Sequence, residues 1–328
     1  MIVMRLKLAA ALLSGFLALT GCAAFSDDNT GPGAGPGRDH EVQVVASFYP
    51  LQYAAQRVAG DRADVVNLTQ PGAEPHDLEI PPRETSQIVD ADLVVYEPDF
   101  QPAVDDAIDQ NAAGETLDAA EVVGLMPLEE GGEDEEHGTE AHEGEEHADE
   151  EHRDHGDLDP HFWQDPVRLA KLGDAVAEKL ATVDPDHAEE FTANAADLRA
   201  DLDSLDQAYQ RGLTGCERDT VVVSHDAFGY LSKYGLHMEP IAGLSPDAEP
   251  TPADLARLQD LIGAEGITTV FSERLVSPRL SRTLADDMGI TTTVLDPIEG
   301  LSDQTADEDY ISLMEHNLAS LQKANACL

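Results

Sequence analysis

Short apolar runs rich in valine and isoleucine alternate along this chain with longer stretches whose apolar positions recur at helical spacing. Runs of the first kind read as strands buried on both faces, and their alternation with helices reads as parallel sheet with crossover connections. The first set predicts strands over Val42–Ala46, Asp64–Leu68 and Leu93–Tyr96, with helices over Leu51–Ala59, Arg83–Ala91 and Ala103–Gln110. A second set repeats the scheme, with strands over Thr220–Ser224, His237–Ile241, Thr268–Ser272 and Thr291–Leu295 and helices over Ala227–Tyr234, Pro252–Ala264 and Pro278–Met288. An amphipathic helix over Asp307–Asn325 closes the chain. Between the two sets, Pro166–Leu180 and a longer stretch, Pro185–Arg211, are helical; in the latter Leu198, Leu202, Leu205 and Tyr209 form a core-facing stripe. The expected fold class is α/β, with two (β/α) lobes built on parallel sheets.

The N-terminus departs from this pattern. Arg5 and Lys7 precede an apolar run, Leu8 to Leu19, that is too short to span a bilayer comfortably and reads as a secretory signal. It ends in Leu19-Thr20-Gly21-Cys22, which resembles the bacterial lipobox, in which the cysteine is lipidated and becomes the first mature residue. Ser26 to Arg38 follows, rich in Gly, Pro and Asp and without apolar period, as in a tether. The expected organisation is a lipoprotein signal peptide over 1–21, a disordered tether over 22–40, an N-terminal lobe over 41–165, linking helices over 166–215 and a C-terminal lobe over 216–328.

Charge narrows the function. With 66 acidic against 19 basic residues and a net charge of −47, the 328-residue chain is no nucleic-acid binder and attracts cations. One acidic run, Glu129 to Asp157, also carries five histidines: His137, His142, His147 and His152 recur every five residues, and His155 follows. Imidazole with carboxylate suits divalent cations, and a stretch this polar cannot bury enough apolar surface to offset its ordering, so it is expected to be a metal-collecting loop, disordered without metal.

With Cys22 assigned to lipid, Cys216 and Cys327 remain as an even pair in an exported protein and are expected to form a disulfide. For so long a loop a chain-entropy account allows about 4 to 5 kcal/mol as an upper bound. Neither cysteine has a CxxC partner or a neighbouring histidine, which argues against thiolate catalysis and against a cysteine-ligated zinc.

In open α/β sheets ligands bind beyond the carboxyl ends of the strands, and three histidines fall in that zone. His76 lies in Pro71-Gly72-Ala73-Glu74-Pro75-His76-Asp77, after the second strand; His161 lies in Asp159-Pro160-His161-Phe162-Trp163; His225 directly follows Val221-Val222-Val223-Ser224. Asp77 and Asp226, each adjacent to a histidine, are candidates to hold the second ring nitrogen. After the last strand, Asp296-Pro297-Ile298-Glu299 offers two carboxylates. Three imidazoles and one carboxylate make a set that tetrahedral zinc accepts. His40, His187, His237 and His316 have no such setting.

These segments resemble a known family, the metal-specific substrate-binding lipoproteins of bacterial ABC importers (cluster A-I), and within it the zinc-specific, ZnuA-like members. The resemblance runs from Val44-Val45-Ala46-Ser47-Phe48-Tyr49-Pro50 through the three histidine motifs to Ser224-His225-Asp226-Ala227-Phe228-Gly229-Tyr230, Gly243-Leu244-Ser245-Pro246, Phe271-Ser272-Glu273 and Leu295-Asp296-Pro297. It implies two lobes joined by a long rigid backbone helix, with a metal in the cleft bound by His76 and His161 from one lobe and His225 from the other. It leaves the fourth ligand open among Asp296, Glu299 and water, and it likens the His-rich insert to the mobile loop of the zinc subgroup. Manganese-binding relatives usually carry a carboxylate at the position of His225, so imidazole there favours Zn2+ as transported ligand.

The expected function is capture of zinc on the extracytoplasmic face of the cell membrane and delivery to an ABC permease with its ATPase, by a lipid-anchored monomer. The alternatives are a manganese or iron receptor of the same family, and a surface adhesin or zinc chaperone. A zinc hydrolase is disfavoured: no HExxH occurs, and in His142-Glu143-Gly144-Glu145-Glu146-His147 the second histidine falls one residue too late to share a helical face.

Overall fold

The computed structural model describes residues 42–128 and 158–327. The signal peptide over 1–21, Cys22, the tether over 22–40 and loop residues His137, His142, His147, His152 and His155 lie outside the described residues.

The first lobe follows the predicted alternation: β1 (Val42–Ala46), α1 (Tyr49–Ala59), β2 (Ala63–Asn67), α2 (Pro82–Asp90), β3 (Leu93–Tyr96) and α3 (Pro102–Asn111). Prolines at the first turns of all three helices fit there because the N–H they lack is one the helix would leave unpaired. Three elements were not legible: β4 (Glu115–Asp118), the short α4 (Ala119–Val123), and a two-stranded ribbon of β5 (Met126–Pro127) and β6 (Leu158–Asp159). β4 is Glu-Thr-Leu-Asp, an edge strand with one buried apolar residue, so it leaves no hydrophobic run to detect.

Two helices follow, α5 (Pro166–Val183) and α6 (Ala188–Gly212), with a 3₁₀ turn at Pro185–His187 between them. The stripe Leu198, Leu202, Leu205 and Tyr209 is buried along α6. The second lobe comprises β7 (Thr220–Val223), β8 (His237–Pro240), α7 (Pro252–Glu265), β9 (Thr269–Ser272), α8 (Arg279–Met288), β10 (Thr291–Val294) and α9 (Tyr310–Asn325). The helix expected over Ala227–Tyr234 is a shorter 3₁₀ turn, Gly229–Tyr234. It packs hard against β6: the Tyr230 hydroxyl donates to the Asp159 carbonyl at 2.8 Å, and a Cβ on Gly229 would stand 2.6 Å from Asp159 Oδ2. Only glycine allows that approach.

Both sheets are wholly parallel and four-stranded, in the orders β2-β1-β3-β4 and β10-β9-β7-β8. Each order reverses beside its first strand, which creates the crevice at the carboxyl ends where ligands settle. One hydrophobic cluster runs through both lobes, drawing Phe48, Trp163, Leu198 and Tyr209 together with Phe228, Phe271, Tyr310 and Leu321, and each lobe has a smaller cluster of its own. Lys233 adds a polar tie, bonding Asp165 at the start of α5 at 2.7 Å and Asp206 of α6 at 2.8 Å. Cys216 and Cys327 form a disulfide. Among the described residues no helix is long and apolar enough to cross a membrane.

Candidate metal centre

Each histidine is delivered by a chain segment leaving a sheet. His76 sits in the loop between β2 and α2, His161 follows β6, and His225 follows β7 after one intervening residue. Both His161 and His225 are fully buried, and His76 is the one nearest solvent, with 14 % of its side chain exposed. The segment after β10 brings up Glu299, also buried.

The four side chains converge. Glu299 Oε1 lies 3.5 Å from His76 Nε2, 3.5 Å from His161 Nε2 and 3.4 Å from His225 Nε2, and one donor atom from each residue lies within 4.8 Å of all the others. These separations exceed a good hydrogen bond, and all three Nε2 atoms and Glu299 Oε1 are buried without a hydrogen-bond partner. Buried polar atoms are seldom left so. The distances have another meaning: donors about 2.0 to 2.2 Å from a tetrahedral zinc stand about 3.3 to 3.6 Å apart along each edge. The three nitrogens are thus one tetrahedral edge from Glu299.

The outer carboxylates are not those adjacent in sequence. Asp159 Oδ1 meets His161 Nδ1 at 2.8 Å and also accepts the His161 backbone N–H at 2.9 Å. Glu273, at the end of β9, meets His225 Nδ1 at 2.7 Å and accepts the Ser224 hydroxyl, so Glu273 and not Asp226 orients that ring. Asp77 turns its backbone N–H toward Glu74. Such contacts present Nε2 to a metal and raise ligand basicity. The Asp-x-His spacing and the Phe-Ser-Glu segment were the available signals.

Of the two carboxylates proposed for the fourth position, Asp296 is used otherwise. Its Oδ2 is 2.9 Å from Arg274 Nε and its Oδ1 accepts the Ile298 backbone N–H at 2.9 Å, so it shapes the turn that carries Glu299. Sequence reasoning also passed over Glu74, whose Oε1 is buried without a hydrogen-bond partner 3.9 Å from His76 Nε2, on the solvent side of the cluster. His187 pairs with Asp184, and His237 and His316 are exposed.

Electrostatics in the cluster follow from burial opposed by pairing. Burial pulls the His225 imidazole down, but Glu273 and Glu299 outweigh it and leave the pKa raised to about 10. His161 is raised in the same way, burial being overcome by Asp159 and Glu299. Burial pushes Glu299 up, and the three imidazoles overcome this and hold it well below the usual carboxylate range. Glu74 is raised by burial, with His76 opposing and Glu299 adding. A separate cavity of about 340 Å³, lined by Tyr49, Gln52, Asn67, Arg83 and Leu301 among others, includes none of the four donors.

Two parallel α/β lobes sharing a core, with a buried three-histidine, one-carboxylate cluster between them, define a cleft-type metal-binding protein. The chain belongs to the family described as "ZnuA: Zinc-uptake complex component A periplasmic", which matches residues 44–324. It is 38% identical over 296 residues to the zinc-binding lipoprotein AdcA of Streptococcus pneumoniae strain R6, covering 87% of this chain and 56% of that protein. The chain therefore spans little more than half of that curated relative's length. It is 35% identical over 320 residues to the high-affinity zinc uptake system protein ZnuA of Bacillus subtilis strain 168, covering 94% of this chain and 96% of that one. Among solved structures, the Zn(II)-bound ZnuA-like domain of S. pneumoniae AdcA superposes with a TM-score of 0.70 at 34% identity, over 87% of this chain and 99% of that one. The laminin-binding protein Lmb of Streptococcus agalactiae, titled a bifunctional protein with adhesin and metal transporting activity, gives 0.73 at 26%, over 86% and 99%.

Proposed function

We propose that this chain is a high-affinity extracytoplasmic zinc receptor, not an enzyme, that binds Zn2+ as cargo through His76, His161, His225 and Glu299 and passes it to an ABC permease and its ATPase. The observation that carries this reading is the convergence of three imidazole nitrogens at 3.4 to 3.5 Å on one buried glutamate oxygen. Three nitrogen donors and one carboxylate suit zinc, whereas manganese prefers an octahedral, oxygen-rich set. The relatives' names, a zinc-binding lipoprotein and a zinc uptake system protein, support the cargo and the transport role.

The Leu19-Thr20-Gly21-Cys22 motif supports a lipid anchor at Cys22 on the outer side of the cell membrane; a receptor tethered in this way can work as a monomer. The His-rich loop at 129–157 serves as an accessory collector, on the strength of its composition. A competitive zinc and manganese titration of the protein lacking residues 1–22, with and without 129–157, tests both parts. One tight zinc that manganese does not displace, retained after loop deletion, is the expected result. Loss of tight binding with the loop would sink the cleft assignment and make the protein a zinc buffer.

A further inference from the structure

Unlike His225, Glu299 is not carried directly by the end of a strand. His225 follows the end of β7 after one residue, whereas Glu299 stands at the far end of a turn that starts after Val294 and passes through Ile298, whose φ is +61°. A β-branched residue in the left-handed region is strained and persists only where its surroundings enforce it.

The enforcement comes from both lobes. On the C-terminal side, Asn317 of α9 brackets Asp296, accepting its N–H at 2.8 Å and donating to its carbonyl at 2.6 Å, while the Asp296 carboxylate takes the Ile298 N–H. The next carbonyl, Pro297, is held from across the cleft: Trp163 Nε1 donates to it at 2.7 Å and Gln164 Nε2 at 2.5 Å. These donors follow His161 by two and three residues, in the 3₁₀ turn Phe162–Gln164. Trp163 is in turn fixed by the Tyr310 hydroxyl, which donates to its carbonyl at 2.5 Å. Gln164 is fully buried, and its Oε1 has no hydrogen-bond partner. A buried amide with an unmet acceptor costs stability, and an apolar residue of the same shape would avoid that cost. What the amide provides in return is its bond to Pro297.

We propose that Trp163 and Gln164 are positioning residues of the metal site: by holding the Pro297 carbonyl from the lobe that carries His161, they keep the Glu299 carboxylate at coordinating distance. Two ligands from opposite lobes are thereby locked as a pair, and the set is preorganised for one small tetrahedral ion. This rests on the zinc-receptor reading above, with Glu299 as a ligand.

The test is a double-mutant cycle on the protein lacking only residues 1–22, read by zinc competition against a fluorescent chelator and by the visible spectrum of bound Co(II). Gln164→Met removes the donor at nearly constant shape. It is expected to weaken zinc about tenfold, the lower end for outer contacts of metal sites, to shift the Co(II) bands, and to leave the melting temperature of the metal-free protein at or above the parent's. Glu299→Gln weakens zinc further, and in that background Gln164→Met has no additional effect, because its influence passes through the carboxylate. An unchanged affinity in Gln164→Met, or a loss that persists in full beside Glu299→Gln, overturns the positioning role. Parental zinc affinity in Glu299→Gln alone overturns the ligand assignment and, with it, this inference. Should Gln164→Met fail to fold, Trp163→Phe, which removes the other donor, decides by the same cycle.

Discussion

His225 shows how a proposed ligand can be ready for metal and charged at the same time. With its pKa raised to about 10 by Glu273 and Glu299 against burial, the ring carries a proton at neutral pH when no metal is bound, and zinc must displace it. The raised pKa stabilises the metal-free fold fully below pH ~6.5, the unfolded value, and that contribution is lost as pH rises through about 10. Zinc affinity runs the other way and rises with pH over the same window, about tenfold per unit for each proton released. Calorimetry at pH 7.5 in two buffers of different ionisation enthalpy should detect release of at least one proton per zinc; no release would contradict the assigned charge state. Glu273→Gln removes the negative partner at 2.7 Å from Nδ1. It should weaken zinc by about 10- to 100-fold while shifting the proton-release profile to lower pH. At this scale the sequence was informative but ambiguous. His76 and His225 could be placed because each follows a predicted strand, and His161 by its segment at the exit of the acidic run, whereas Asp296 and Glu299, three residues apart, offered the same chemistry. The structure separates them: Glu299 meets the three histidines, while Asp296 is held by Arg274 and the Ile298 N–H.

The strands and helices that carry apolar runs were legible within about three residues, because buried strands demand apolar runs and packed helices an apolar face. β4 and the β5–β6 ribbon were not legible: their pairing is set by neighbours, and their own residues are mostly polar or too few. The apolar residues Phe228, Tyr230 and Leu231 suit a helix, but the structure winds Gly229–Tyr234 as a 3₁₀ turn packed against Asp159. A prediction also belongs here. The Cys216–Cys327 bond spans a separation of 111 residues, tying the segment after α6 to the end of α9. Replacing both cysteines by serine should lower stability by up to about 4 to 5 kcal/mol in urea unfolding while leaving zinc stoichiometry unchanged, since neither sulfur belongs to the four-donor cluster. A change in stoichiometry would show that α9 holds the Asp296–Glu299 turn less firmly than Asn317 suggests.

One core passes through both lobes, and Trp163, Gln164 and Lys233 add hydrogen bonds across their boundary. Interiors packed in this way do not deform continuously, so zinc should enter through small movements around His76 and Glu74, the solvent-side residues of the cluster, and not through wide opening of the lobes. Small-angle scattering should give the same radius of gyration with and without zinc for the protein lacking both 1–22 and 129–157; a decrease of several ångströms on binding would reveal a hinge. The sequence by itself determined the layered α/β architecture, the three candidate histidines and the acidic character, since these follow from local periodicity, strand ends, short motifs or composition. The tertiary structure alone decided that Glu299, and not Asp296, meets the three histidines, that Asp159 and Glu273 contact the other ring nitrogens of His161 and His225, and that Pro297 is held from the far lobe. Those facts depend on contacts between residues as distant in sequence as His76 and Glu299, and a linear pattern carries no record of which distant side chain arrives beside which.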